Sequence, residues 1–111
     1  MPTAVRATLV SGTGALVASQ VISATPKNLQ EIMCVNTSGS ALYVQVFDSA
    51  TVPADSTTPA IVFTVPANST AGYDNTQGLP FASGIAVCVS TTAHTKTVAG
   101  AVAVFTALVE N

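Results

Sequence analysis

Apolar residues in this chain come in short runs, broken roughly every dozen residues by clusters of proline, glycine, serine and threonine. Within the runs the rhythm is two, not three or four. Leu42, Val44 and Val46 alternate with Tyr43, Gln45 and Phe47, as side chains do on the two faces of a β-strand. Valine, threonine and alanine dominate, and no window sets good helix formers at helical spacing. The stretch 15–22 is rich in alanine, but Val17, Val21 and Ile22 are β-branched, and Ser19 and Gln20 interrupt any helical stripe. The pattern predicts strands near residues 5–10, 15–23, 29–37, 41–48, 60–65, 71–74, 84–90 and 100–109. Ser38-Gly39-Ser40 makes the clearest hairpin turn, while residues 49–59, 75–83 and 91–99 read as loops. About seven or eight strands in one chain predict an all-β fold, a two-sheet antiparallel sandwich of immunoglobulin-like or small jelly-roll type.

Two strands break the usual alternation of apolar with polar. In residues 41–48 both faces carry apolar groups, and Gln45 is the one position that clearly asks for water. In residues 100–109 one face reads Val102, Val104, Thr106, Leu108 and the other Ala101, Ala103, Phe105, Ala107, Val109. A half-solvated antiparallel strand has one polar side, so the second apolar side calls for a cover. That cover is either another chain or the protein's own loops and termini.

Composition favours the first. Three basic and five acidic residues make up 7% of the 111 residues, against about 25% in an ordinary soluble domain. Hydrophobic residues make up 49%, and the mean hydropathy is +0.56. So few charges cannot keep a whole exterior wet and its copies apart. The length fits one domain, residues 1–111, with residues 1–14 as a candidate partner-contacting arm. A net charge of −2 with only Arg6, Lys27 and Lys96 as bases argues against nucleic acid and against an anionic membrane surface. No apolar run approaches the ~20 residues that span a bilayer, and the N-terminus has no secretory pattern, so synthesis in the cytoplasm is expected.

Candidate chemistry is thin. Cys34 and Cys88 read as buried free thiols, with a disulfide formed after release as the alternative. His94 lies in a polar loop without a nearby acid, and no GxSxG elbow occurs, so no nucleophile or base is nominated. Asp48, Asp55 and Asp74 sit among turn residues, where aspartate caps backbone groups. No metal, cofactor or catalytic residues are expected.

The segment ALYVQVFDSATVPADSTTPAIVFTVPANST, followed by GLPFASGIAVCVSTT, resembles small structural proteins of tailed bacteriophages. The shared pattern lies at Tyr43 to Phe47, Ala50 to Pro53, Thr58 to Ala67 and Gly78 to Ile85. The resemblance implies a non-enzymatic virion component, a capsid decoration or cement protein at the capsid surface. Its partners would be the major capsid protein and copies of itself, most simply as a homotrimer. The expected interface is the Val5 arm with Ala101, Ala103, Phe105, Ala107 and Val109. A tail, head-fibre or adaptor subunit is the alternative within the same class. A host-surface glycan-binding module, using loops 49–59 and 91–99, is the alternative outside it.

Overall fold

The computed structural model of the protein describes residues 7–10, 12 and 15–110. Eight strands run β1 (Ala7–Val10), β2 (Ser19–Ser23), β3 (Lys27–Asn36), β4 (Leu42–Asp48), β5 (Ile61–Val65), β6 (Ser69–Phe81), β7 (Ile85–Ser90) and β8 (Ala103–Glu110). They form two four-stranded antiparallel sheets, ordered β1-β8-β3-β6 and β2-β7-β4-β5.

That order distinguishes the two sandwich types left open by the sequence. β1 pairs with β8, β2 with β7, β3 with β6 and β4 with β5, so the pairs nest like the arms of one long hairpin folded at the β4–β5 connection. Rolling that hairpin over brings β8 beside β3 and β7 beside β4, which closes the two sheets. This is the eight-stranded jelly roll, not the immunoglobulin arrangement.

The core is the space between the sheets. Leu29, Ile32 and Cys34 of β3 and Ala103, Phe105, Ala107 and Val109 of β8 face Leu42, Val44 and Val46 of β4 and Ile85, Val87 and Val89 of β7. Phe105, Leu29, Ile32 and Ile85 are among the largest side chains wholly removed from water. Burying each stabilises the sandwich by roughly 1.5–3 kcal/mol. One end of this layer is closed by Asn36, whose Nδ2 donates to the Ser40 carbonyl at 2.9 Å and the Pro66 carbonyl at 3.1 Å. Its Oδ1 accepts from the Ser38 N–H at 2.9 Å, so one buried amide ties the β3–β4 turn to the β5–β6 connection.

Three sequence expectations shift. Residues 69–81 form the thirteen-residue β6, which takes in the weak strand read at 71–74 and most of the crossing read at 75–83. Its Gly78 and Pro80 had argued for a turn. β6 lies at a sheet edge, where a residue without an N–H leaves no ladder bond unmade, and Gly78 adopts φ 80° near the register shift between Leu29 and Glu31. The strand expected from residue 15 begins at Ser19, with Val17 making an isolated bridge to Ala103. The expected arm is in part a strand, since β1 pairs with β8, while residues 1–6, 11, 13 and 14 lie outside the described residues.

A further correction concerns the interface. Ala103, Phe105, Ala107 and Val109 occupy the inward row of β8, with exposures of 2% or less, and fill the inter-sheet core of the chain itself. The folded chain cannot present them to a partner. Alanines on that row let the opposing sheet approach; they do not invite a neighbour. Val5 lies outside the described residues, and Ala101 is exposed just before β8. It follows that Ala103→Glu will prevent folding, because an unpaired buried charge costs several kcal/mol of a total stability of about 5–15. Thr106→Glu, on the outward row of the same strand, is expected to fold with a loss under about 1 kcal/mol. Urea unfolding followed by circular dichroism separates the two.

Candidate assembly surface

Two sheets have four faces, and the inner two cover each other. The outer face of the β2-β7-β4-β5 sheet is where the doubly apolar β4 finds its second cover. Phe47, Ala86 and Cys88 form a small buried cluster there, and Gln45 and Ser90 beside them are wholly buried. The cover is the chain's own. Residues 91–99 lie over this face, and the 49–60 connection is stitched to them by the Ser56 N–H to the Lys96 carbonyl at 2.7 Å and the Lys96 N–H to the Thr57 carbonyl at 2.9 Å.

Gln45 holds this cover down. Its Nε2 donates to the carbonyls of Thr92 at 2.8 Å, Ala93 at 3.0 Å and Thr95 at 2.9 Å, while its Oε1 faces the Cys88 Sγ at 3.5 Å. A polar side chain in an apolar strand reads as a request for water, yet its amide donates to loop carbonyls, two of which, Thr92 and Thr95, also accept from the Ser90 and Thr92 hydroxyls. Lys96 was expected in a solvated loop and is instead 5% exposed, its Nζ donating to Asp55 Oδ1 at 2.8 Å. That hydrogen bond and the ammonium charge hold the Asp55 carboxyl below its ordinary value. Asp48, at the end of β4, accepts from the Ser83 N–H at 2.8 Å and the Ala82 N–H at 3.3 Å, which lowers its pKa too. Both aspartates therefore bind distant segments of the chain, a role beyond local turn capping. The loops nominated for glycan contact, 49–59 and 91–99, are the two that this network fastens to the sheet.

The fourth face belongs to the β1-β8-β3-β6 sheet. The strand registers set three rows across it: Leu9, Leu108, Glu31, Asp74; then Thr106, Met33, Gly72; then Val104, Val35, Thr70. Leu9 is 64% exposed, Met33 41% and Val35 39%, with Val104 and Leu108 half-buried between them. Gly72 lets Met33 lie flat, since a Cβ there would come within 3.3 Å of Met33 Cγ and 2.9 Å of the Ile32 carbonyl oxygen. No described loop is hydrogen-bonded across these rows as residues 91–99 are across the other sheet. The contiguous apolar side chains are therefore the outward ones, Val35, Met33, Leu108 and Leu9. The sequence does hold the signal, in the Met33/Val35 alternation and in the Val104/Leu108 row, but it does not say which row of β8 faces in.

Cys34 and Cys88 are free thiols on different layers, Cys34 in the inter-sheet core and Cys88 under the loop cover. Burial pushes the Cys34 thiol up to about 12 and Cys88 up to about 11. Among the described residues no three His, Cys, Asp or Glu side chains gather where they could hold a metal ion, and His94 is exposed.

No family model and no curated protein matches the chain, so the resemblance to tailed-bacteriophage structural proteins rests on its sequence pattern alone. Among solved structures it is similar to the coat protein of Tobacco streak virus, with a TM-score of 0.47 and 11% identity over 95% of this chain and 86% of that one. A likeness of this strength fixes no role for the chain.

Two measurements probe the covered face. Native Cys34 and Cys88 should resist alkylation near neutral pH, and Asp55→Ala, which frees one end of the loop cover, should speed modification of Cys88 while leaving Cys34 slow. Equal acceleration at both thiols would mean that the cover and the core open together. Asp48 and Asp55 have folded pKa values below the ordinary 3.8, so their contribution is complete above that value. It disappears as the pH falls through the folded values. The urea midpoint should thus drop below pH 4, and a combined Asp48→Asn, Asp55→Asn variant should show a flatter acid limb.

Proposed function

We propose that this chain is a structural component of a virion, a decoration protein that docks on the major capsid protein and stabilises the shell without chemistry. The carrying observation is the group of exposed Leu9, Met33 and Val35 on the outer face of the β1-β8-β3-β6 sheet, which no described loop crosses as residues 91–99 cross the centre of the other sheet. Contiguous exposed apolar surface on a rigid sheet marks a contact site, not an exterior meant for water. Two features support the reading beside it. The jelly roll is an architecture that viral capsid domains use, among others, and a charge content of 7% suits a subunit that spends its working life in contact with protein.

Physically, a decoration protein adds buried area across the seams of a shell. A patch of about 800 Å² per partner is enough for a specific contact, and many symmetric copies turn modest affinity into a durable assembly. Association into a homo-oligomer, most simply a trimer, would multiply the contacts further. The buried row of β8 takes no part in this; it holds the sandwich rigid so that the outward row is displayed in fixed geometry.

The test is fractionation of purified particles. A decoration protein should band with full capsids in a copy number comparable to that of the shell protein, and stripping it should lower the temperature at which the shell ruptures. A few copies per particle would point to the tail or adaptor alternative, and absence from particles would refute the proposal.

A further inference from the structure

The uncovered sheet face has a chemical asymmetry. One end of its apolar patch is formed by two carboxylates, Glu31 and Asp74, which the β3–β6 register sets directly opposite each other on adjacent strands. Both are exposed, and with Gln30 and Leu108 they line an open hollow of about 240 Å³. Like charges facing each other across a strand pair are destabilising, so the isolated chain tolerates repulsion at this spot.

None of the chain's described basic side chains lies on that face. Lys96 is buried on the other sheet, paired with Asp55. Lys27 stands at the start of β3, four residues before Glu31, and lines a separate hollow with Pro26, Asp48 and Phe81. Arg6 is outside the described residues. A second copy docking through this same face would bring two acid pairs and no described base. Phosphate-bearing partners, nucleic acid or anionic lipid, would meet carboxylates.

We infer that the outer face of the β1-β8-β3-β6 sheet docks a different protein chain, one that presents an apolar patch with a lysine or arginine beside it. The cation enters the hollow between Glu31 and Asp74, while Leu9, Met33, Val35 and Leu108 meet the apolar part. Oppositely charged groups at the edge of such a contact fix its register and speed the encounter, and the apolar centre provides the area. This inference specifies the partner chemistry of the surface on which the proposed function rests, but it concerns the face itself and is testable without a virion.

The experiment titrates the purified full chain, followed by backbone NMR, with a short synthetic peptide of alternating leucine and lysine. A matched leucine–glutamate peptide serves as control. The expected result is shift changes confined to Leu9, Glu31, Met33, Val35, Asp74, Leu108 and their neighbours, for the lysine peptide only. Affinity should be at least about tenfold weaker for the Glu31→Gln, Asp74→Asn double variant. Shifts spread over the molecule, or equal affinity of the double variant, would overturn the inference. So would Met33→Glu dissolving an oligomer of the free chain, because a second copy would then be the occupant. If the face binds as expected while the chain is absent from particles, the decoration proposal fails and the docking surface stands; if the chain is in particles but the face is inert, the reverse holds.

Discussion

The structure depends on which of its sheet faces are buried by the chain itself. A two-sheet sandwich must dispose of four faces, and with 7% charged residues this protein has little with which to make any of them hydrophilic. Mutual packing of Phe105, Leu29, Ile32 and Ile85 with the valines of β4 and β7 settles the inner two. Loops 49–60 and 91–99, held by Gln45 and by the Lys96–Asp55 pair, settle the third. Among the described residues the fourth is left with Met33, Leu9 and Val35 in the open.

The two outer faces are treated in physically different ways. Over β4 and β7 the chain solves a polar problem: loop carbonyls lie against an apolar surface, and one glutamine amide at the centre satisfies several of them. That arrangement is inward-looking, because the loop carbonyls turn toward Gln45 and the Ser90 hydroxyl. Over β3 and β8 the described residues form no such network, only side chains that lose little by being exposed singly and gain when covered together. The contrast gives the sandwich a closed back and an available front.

Much of this was legible in the sequence. Period-two runs and the punctuation by proline and glycine imply the all-β sandwich and most strand positions, and the charge deficit implies contact surfaces. The apolar character of both sides of β4 and β8 was also visible, and each does have two covered or coverable faces. What could not be read was direction. A strand with apolar residues on both sides does not reveal which side turns inward, so Ala103, Phe105, Ala107 and Val109 read as a partner surface, whereas they build the core. Gln45 misled because hydrogen-bond need in a buried place and preference for water look the same in one dimension. β6 misled because an edge strand accepts Gly78 and Pro80, which elsewhere end strands. Local chemistry was readable; long-range pairing, which sets the nesting of β1 with β8 and β2 with β7, was not.

The most direct test of the account is carbene footprinting of the outer faces, performed on the free chain and on the chain within the assembly that contains it. The account predicts that Leu9, Met33 and Val35 label readily when the chain is free and become protected on assembly, while Phe47, Ala86 and Cys88 stay unlabelled in both. Undiminished labelling of Leu9, Met33 and Val35 in the assembled state would contradict it, because these exposed apolar side chains would then have no cover.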